Sequence, residues 1–288
     1  MTVILDGKGF ALKIEEELRE KILSLPSKPK LAVVIVGDNP ASQIYVKNKQ
    51  LAAKRVGIDS ITIELPKDTS DINLLNQIEI LNRDETIDAI LVQLPLPDHI
   101  NKSSVLQAIS PIKDVDGFSP YNLGLLFSGS EPVSLPCTPK GIIKLLKHYN
   151  IPLEGRNAVV IGRSLIVGKP MALLLQRENA TVTLAHSKTQ NLRDITKKAD
   201  IIVCAVGKPH LIDSSYISGN PVIIDVGINR VEGKITGDVD FDGVKDMTSY
   251  ITPVPKGIGP ITIAMLLENT YELYNFHQKI RAQYGDLR

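Results

Sequence analysis

Cysteine is scarce in this sequence of 288 residues, which contains only Cys137 and Cys204. Two separated thiols are too few for a disulfide framework or a zinc cluster. None of the five histidines stands at metal-ligand spacing from another histidine or from a cysteine. We therefore expect reduced thiols, a cytoplasmic location and no bound metal. Cys137 precedes a predicted helix, which favours a reactive thiolate, but a packed thiol is the preferred interpretation.

The sequence also lacks an excess of charge and any long apolar run. Lysine and arginine number 33 against 32 acidic residues, so the formal net charge is +1. Such a balance gives no general attraction to nucleic acid or to a membrane surface. No stretch approaches the roughly 18 apolar residues of a membrane span, and the first ten residues have no apolar run of signal-peptide length. We expect a soluble protein that binds neither nucleic acid nor membrane.

The first half of the chain alternates apolar strands with amphipathic helices. The predicted strands are Leu31–Val36, Ile61–Leu65 and Ala89–Leu94, and the predicted helices are Ile14–Ser24, Ala41–Arg55 and Leu74–Leu81. Continuous apolar strands in this order indicate a parallel sheet that is covered on both faces. The length fits two domains of roughly 100–200 residues each, or one large domain.

The alternation resumes after a loop over Ser110–Pro120. There Thr138 is predicted to cap a helix that has Pro139 in its first position. The following predicted strands are Ala158–Ile161, Thr181–Leu184, Ile201–Val206 and Val222–Val226, and the predicted last helix is Ile261–Phe276. The sequence therefore predicts an α/β protein with two parallel sheets.

A glycine-bearing turn follows the strand Ala158–Ile161. Gly162 ends that strand, and Gly168 precedes a stretch of good helix formers. A strand, a glycine turn and a helix start together present backbone N–H groups and a positive dipole end to a phosphate. The spacing is not GxGxxG, so the turn is either a ligand loop or an ordinary connection between a strand and a helix. Ser164 does not stand in GxSxG, so no serine nucleophile is expected.

The next strand is followed by a turn that contains no acid. A Rossmann unit that binds NAD has an acidic residue about 20 positions beyond the glycine turn, where it holds the ribose 2′-hydroxyl. Here the stretch after Thr181–Leu184 contains His186, Ser187 and Lys188 instead. Together with Arg163, these residues favour a ribose 2′-phosphate and hence NADP. The alternative is a polar turn that binds no ligand.

Several polar residues of the first half could meet at one sheet edge. Tyr45 and Lys49 are four residues apart and share a helix face. Gln93 stands at the carboxyl end of a buried strand, where open α/β sheets bind ligands, and Asp114 and Asp116 follow in the loop. The alternatives are a solvated helix face and ordinary turn chemistry.

Nine stretches in order along the chain resemble the bifunctional methylenetetrahydrofolate dehydrogenase/methenyltetrahydrofolate cyclohydrolase family. They are VGDNPASQIYVKNK (36–49), VQLPLP (92–97), KDVDGFSPYN (113–122), PCTPKG (136–141), GRSLIVGKP (162–170), HSKT (186–189), DVGINR (225–230), GDVDF (237–241) and TPVPKGIGPIT (252–262). The resemblance implies an N-terminal αβα folate-binding catalytic domain over residues 1–138 with 264–288. It also implies a C-terminal Rossmann-like NADP-binding domain over residues 139–263, with a cleft between the two domains.

The resemblance also implies a role for individual residues. Lys49 is implied as the catalytic lysine, Gln93 as its partner, Tyr45 as the ring that stacks on the folate and Asp116 as the anchor of the pterin. The implied cofactor-binding residues are Gly162, Arg163, Ser164, Gly168, Ser187 and Ile228, and Pro260 is implied as a further substrate contact. Lys256, Leu165 and Ser119 depart from the family pattern and bear on cofactor preference and on the balance of two activities.

The implied activity is NADP-dependent oxidation of 5,10-methylenetetrahydrofolate to the methenyl compound, followed by hydrolysis to 10-formyltetrahydrofolate. The family further implies tetrahydrofolate derivatives as substrates and a homodimer. Two alternatives remain open: an enzyme with only one of the two activities, or a ligand-binding protein without turnover. The four residues Tyr45, Lys49, Gln93 and Asp116 together argue against a mere binder.

Overall fold

The computed structural model describes residues 1–284. The strands are β1 (Val3–Ile4), β2 (Lys30–Val36), β3 (Asp59–Leu65), β4 (Ala89–Val92), β5 (Asn157–Ile161), β6 (Thr181–Ala185), β7 (Ile201–Cys204), β8 (Val222–Asp225), β9 (Asn229–Val231), β10 (Lys234–Thr236) and β11 (Tyr250–Ile251). The α-helices are α1 (Gly7–Leu23), α2 (Pro40–Val56), α3 (Asp71–Arg83), α4 (Lys102–Ala108), α5 (Pro120–Phe127), α6 (Cys137–His148), α7 (Gly168–Arg177), α8 (Leu192–Thr196), α9 (Phe241–Val244) and α10 (Ile258–Tyr284). The chain divides into two compact units.

The six-stranded unit consists of Met1–Leu12 and Thr138–Thr262. Its sheet is parallel throughout, in the order β1-β11-β8-β7-β5-β6. Because β6 and β7 lie on opposite sides of β5, the strand order reverses beside β5. Ligands of open α/β sheets bind at such a switch point, outside the carboxyl ends of the strands. The loops after β5 and β7 therefore lie where sheets of this kind bind their ligands.

The three-stranded unit consists of Lys13–Cys137 and the residues from Ile263 onward. Its parallel sheet has the order β3-β2-β4, so the strand order again reverses beside the first strand. Buried side chains of β2 and β4 pack with Leu74 and Ile78 of α3 in one apolar core. The strands β2 and β4 are apolar because both faces of the sheet are buried there. Since β2 and β4 pair in parallel, their carboxyl ends lie side by side.

Both predicted parallel sheets are present, but two helices begin or end far from their predicted limits. Helix α1 begins at Gly7 rather than near Ile14, and α10 runs from Ile258 to Tyr284. Helix α6 begins at Cys137, so the prediction of Thr138 as its cap is wrong. The Thr138 hydroxyl instead lies 2.9 Å from that of Thr262. None of the helices in residues 1–284 combines the length and the apolar character needed to cross a membrane.

The first residues of the chain belong to the six-stranded unit, whereas the predicted boundary placed them in the N-terminal domain. Strand β1 pairs with β11 through Val3 opposite Tyr250 and Ile4 opposite Ile251. The carbonyl of Ile251 also accepts the Leu5 N–H at 2.9 Å. Strands of two residues carry no periodicity, so a pairing between distant parts of the chain leaves no local sequence signal.

Candidate active site

Helix α2 positions the tyrosine and the lysine of the candidate site. Its N-cap Asn39 accepts the N–H groups of Ala41 and Ser42 through its side-chain oxygen, and Gly57 ends the helix with φ 91°. A capped start and a left-handed glycine end are favourable helix limits. Tyr45 and Lys49 are one turn apart within the helix, so they lie on the same face.

Gln93 lies directly beyond β4 and contacts Lys49. Its Nε2 donates to the carbonyl of Leu94 at 2.6 Å, and its Oε1 accepts from Lys49 Nζ at 3.0 Å. The Gln93 N–H itself donates to the carbonyl of Val34 in β2 at 2.8 Å. The carboxamide is thus fixed at both of its ends, with its oxygen directed at the ammonium group.

Asp116 is the charged partner of this lysine. Burial raises the pKa of Asp116 to about 6, against the opposing effect of the Lys49 charge. Burial lowers the pKa of Lys49, and the negative charge of Asp116, with that of Cys137 when its thiol is ionised, opposes that shift. Cys137 Sγ lies 3.9 Å from Asp116 Oδ1, and its thiol is buried, as a packed thiol should be. The site therefore holds a lysine whose pKa is lowered by burial, and a carboxylate whose pKa is raised to about 6 acts on it through its charge.

Tyr45 is partly open to solvent, with 37% of its surface exposed, and burial of the rest raises the pKa of its hydroxyl. A half-exposed ring offers an aromatic face to a flat ligand. Asp114, by contrast, organises its own loop. It accepts the Ser119 N–H at 2.7 Å and the Asn122 amide at 3.1 Å. Ser119 caps α5 by accepting the Asn122 N–H.

The glycines of the turn after β5 are required by close packing. A Cβ at Gly162, which has φ 120°, would overlap the carbonyl oxygen of Ala205 beyond β7. A Cβ at Gly168 would overlap the carbonyl oxygen of Gly162 itself. The start of α7 therefore lies directly against the end of β5, which is the arrangement that offers helix N–H groups to a phosphate. The Ser164 hydroxyl stabilises the turn by accepting the Val167 N–H at 3.1 Å.

Arg163 and Ser187 lie at neighbouring strand ends. Ile161 of β5 is in register with Ala185 of β6, and the Gly162 N–H donates to the Ala185 carbonyl at 2.9 Å. Arg163, Ser164 and Ser187 follow these paired residues, and all three are exposed. A cation and two hydroxyls at this edge suit a phosphate on the ribose of a dinucleotide. The turn and its edge therefore fit NADP.

The other predicted contacts lie elsewhere on the same unit. Ile228 is exposed between β8 and β9, and Pro260 is half-buried in the first turn of α10. Leu165, for which a departure from the family pattern was predicted, is 49% exposed, and nothing in the structure accounts for that prediction. Lys256 is exposed with φ 80°, a left-handed conformation that a glycine adopts without strain.

One residue that the sequence reasoning missed is Asp238, in the stretch GDVDF. Its fully buried carboxylate accepts the N–H groups of Val206, Gly207 and Lys208 at 2.7–3.0 Å and the Asn229 amide at 2.9 Å. These contacts fix the loop after β7, which is one of the two loops at the switch point. The sequence around it offers only an acid between Gly237 and Val239, which does not distinguish a buried carboxylate from an exposed one.

One unit thus has a phosphate-binding turn at a doubly wound switch point, and the other has a lysine with a carboxamide and a carboxylate. This combination defines a nucleotide-dependent α/β enzyme. The family model of the tetrahydrofolate dehydrogenase/cyclohydrolase catalytic domain matches residues 5–116, and that of the NAD(P)-binding domain matches residues 136–278. The chain belongs to this family.

The curated relatives and solved structures are similar to this chain over nearly its full length. A bifunctional protein FolD of Thermodesulfovibrio yellowstonii is 54% identical over 270 residues, which cover 92% of this chain and 94% of that protein. The crystal structure of the FolD dehydrogenase/cyclohydrolase of Campylobacter jejuni is 50% identical, with a TM-score of 0.94 over 96% of this chain and 100% of the other. The Trypanosoma brucei FolD enzyme, solved with NADP cofactor and inhibitor, is 37% identical, with a TM-score of 0.91 over 97% and 99% of the two chains. The predicted family, two-domain α/β fold and enzyme class are confirmed.

Proposed function

We propose that this chain oxidises 5,10-methylenetetrahydrofolate with NADP and then hydrolyses the methenyl product to 10-formyltetrahydrofolate. The observation that carries this proposal is the contact of Lys49 Nζ with Gln93 Oε1 at 3.0 Å, beside a carboxylate whose pKa burial raises to about 6. A protein that only binds folate needs no lysine with a lowered pKa. Hydrolysis of a methenyl cation does need a base of this kind.

In the oxidation, the residues of the three-stranded unit hold the substrate. The chemistry that bound NADP supplies is acceptance of hydride from the methylene carbon. Tyr45 presents its half-exposed ring to the flat rings of the folate. Asp116, ionised above about pH 6, accepts N–H groups of the pterin. This step depends on positioning more than on proton transfer.

In the hydrolysis, a water oxygen adds to the methenyl carbon and neutral Lys49 accepts a proton from that water. The bond between the carbon and N5 then breaks as N5 takes the proton that Lys49 holds, and the hydroxyl left on the carbon gives its proton to Lys49 as it becomes the formyl C=O on N10. Lys49 becomes neutral again by releasing that proton to solvent, so the reaction releases one proton overall. Gln93 fixes the lysine by accepting from Nζ. Because burial lowers the pKa of Lys49, its neutral form is accessible at lower pH than in an exposed lysine, and hydrolysis should accelerate as pH rises toward that pKa.

The choice of NADP over NAD rests on the edge of β5 and β6. Arg163 with Ser164 and Ser187 supplies a cation and hydroxyls where the NAD-binding pattern has an acid. We also propose that the enzyme is a cytoplasmic homodimer, in line with the family resemblance. Cys137 and Cys204 are both buried, and two separated cysteines are too few for a disulfide framework, which is consistent with a reducing compartment. Sedimentation velocity of the purified chain would give the oligomeric state.

One assay tests the activity and its alternatives. The protein is mixed with methylenetetrahydrofolate and NADP, and the reduced cofactor and the methenyl chromophore are followed separately. Reduced cofactor without lasting methenyl compound is the expected result, since both steps then proceed. Accumulation of the methenyl compound would indicate a dehydrogenase alone. No reduction, with hydrolysis of added methenyltetrahydrofolate, would indicate a cyclohydrolase alone, and no change of either substrate would overturn the proposal.

A further inference from the structure

Asn269 of α10 lies fully buried and connects two segments beside the candidate site. Its side-chain Nδ2 lies 2.8 Å from the carbonyl oxygen of Val115 and 2.8 Å from that of Leu135. A carboxamide has two N–H groups, so one side chain can donate to both carbonyls. The same Nδ2 is 3.4 Å from the sulfur of Cys137.

The Val115 carbonyl is a shared acceptor for several elements. Besides Asn269, the Ser134 hydroxyl approaches it at 3.4 Å and the Cys137 thiol at 3.5 Å. Val115 immediately precedes Asp116, so these donors fix the peptide from which the Asp116 side chain starts. The hydrogen bond from Asn269 of α10 is the shortest of the three.

The residue after Asp116 is held against the same segment. Gly117 has φ 69°, and a Cβ on it would lie 2.6 Å from the carbonyl carbon of Leu135. The backbone on one side of Asp116 therefore packs too closely on Leu135 to admit a side chain. On the other side it is tied to the same segment through Asn269.

A second asparagine of the same helix, Asn275, bonds to its own helix. The Asn275 amide donates to the carbonyl of Tyr271, one turn back in α10, at 3.0 Å. That bond is local to the helix. Asn275 thus provides a matched control for a substitution of Asn269.

We infer that Asn269 is a positioning residue that fixes Asp116 relative to Lys49 and thereby sets how readily Lys49 gives up its proton. The inference rests on the proposed roles of Lys49 and Asp116 in the reaction. The groups whose charge acts on Lys49 are Asp116 and, when ionised, the Cys137 thiol; those that act on Asp116 are Lys49 and Asp114. A carboxylate that moves away from an ammonium ion stabilises it less, because their attraction falls with distance.

The test follows Lys49 directly. The protein is labelled with [13C]lysine, the Cε signal of Lys49 is assigned by its loss in Lys49→Arg, and its shift is recorded against pH. In Asn269→Leu, which keeps the side-chain size but has no donor, we expect the Lys49 titration to move to lower pH by about half a unit or more. Asn275→Leu should leave the titration where it is in the unsubstituted protein.

A double substitution separates positioning from general loosening. In the Asp116→Asn background, Asn269→Leu should cause no further shift of the Lys49 titration, because the charge that Asn269 positions is gone. An equal shift in that background would overturn the inference, as would an unchanged titration in folded Asn269→Leu. If Asn269→Leu does not fold, Asn269→Ser, which keeps one donor, replaces it. Its Lys49 titration should also shift in the unsubstituted background and not in the Asp116→Asn background.

Steady-state kinetics supply a second readout. Asn269→Leu should raise the KM for the folate several-fold and leave the KM for NADP unchanged, since NADP is assigned to the six-stranded unit. An equal rise in both KM values would contradict the inference. The Lys49 titration requires no turnover, so an inactive protein would refute the proposed function without deciding the role of Asn269.

Discussion

Lys49 donates to Gln93 across 3.0 Å, from the middle of one helix to the first residue beyond a strand. The strand beside β4 is β2, and α2 follows β2 in the chain. The contact is therefore a consequence of topology, because the helix after one strand and the end of the adjacent strand meet at the same sheet edge. A lysine and an amide placed in this way can form a hydrogen bond although they are far apart in the sequence.

Replacement of Lys49 by methionine should slow hydrolysis strongly while the chain stays folded. Methionine keeps the length of the side chain but has no proton acceptor, and loss of a general base typically costs about 10²–10⁴-fold in rate. We expect such a loss in the rate of hydrolysis of added methenyltetrahydrofolate. Lys47→Met, on the exposed face of the same helix, is the control and should hydrolyse at the unsubstituted rate. Normal turnover by Lys49→Met would refute the assignment of Lys49.

Asp116 should cost the protein stability at neutral pH. Its pKa is about 6 in the folded protein against an ordinary value of 3.8, so the folded state binds more protons than the unfolded state between these values. The contribution of this group to the free energy of unfolding is full below about pH 4 and is lost as pH rises through about 6. Asp116→Asn has no such loss, so its stability relative to the unsubstituted protein should increase between pH 4 and pH 7, by about 1–3 kcal/mol. Urea unfolding at a series of pH values measures this difference.

Asp213 provides the opposite case for the same measurement. Its pKa is lowered by hydrogen bonds from the hydroxyl and the N–H of Ser215. Asp213→Asn should therefore lose stability relative to the unsubstituted protein as pH rises from acid to neutral. The same direction of change in both variants would show that the effect at Asp116 does not come from its own titration.

Periodicity and the position of residues at strand ends were sufficient to predict the core strands of both sheets and to place Lys49 and Gln93 on elements that lead to one sheet edge. The pairing of the two side chains was implied only by the family resemblance. Strands β2 and β4 are continuously apolar because both of their faces are buried. That pattern depends on local sequence alone. The residues that follow such strands can then be assigned to a common edge without knowledge of any contact.

The contacts of Asn269 and Asp238 could not be predicted in this way. An asparagine within a helix is usually exposed or bonded to its own helix, as Asn275 is. Nothing in the neighbouring residues distinguishes Asn269, whose partners Val115 and Leu135 are distant in sequence. The loop bound by Asp238 is separated from it in the chain by β8, β9 and β10. Such side chains are identified only once the tertiary structure places the backbone carbonyls and N–H groups.

Removal of the Arg163 guanidinium should reduce the preference for NADP. A charge-assisted hydrogen bond to a phosphate contributes about 1.5–3 kcal/mol, so Arg163→Ala should lower kcat/KM for NADP by roughly 10–150-fold and leave that for NAD nearly unchanged. Arg156→Ala is the control, since Arg156 is exposed and precedes the amino end of β5. Initial rates with both cofactors give the comparison. Equal efficiency of the unsubstituted enzyme with NADP and NAD would refute the role of Arg163.

Lys256→Gly should stabilise the protein. Lys256 adopts φ 80°, where the Cβ of an L-residue costs about 1–2 kcal/mol. Its carbonyl accepts the Lys8 N–H at 3.0 Å, so the surrounding backbone holds this conformation. Glycine removes the strain but is more flexible in the unfolded chain, which leaves an expected gain of about 0.5–1 kcal/mol in the free energy of unfolding. Lys245→Gly is the matched control: Lys245 has φ −52°, so glycine there should destabilise. Calorimetry of both variants should show opposite changes in Tm, and a lower Tm for both would contradict the assignment of strain to Lys256.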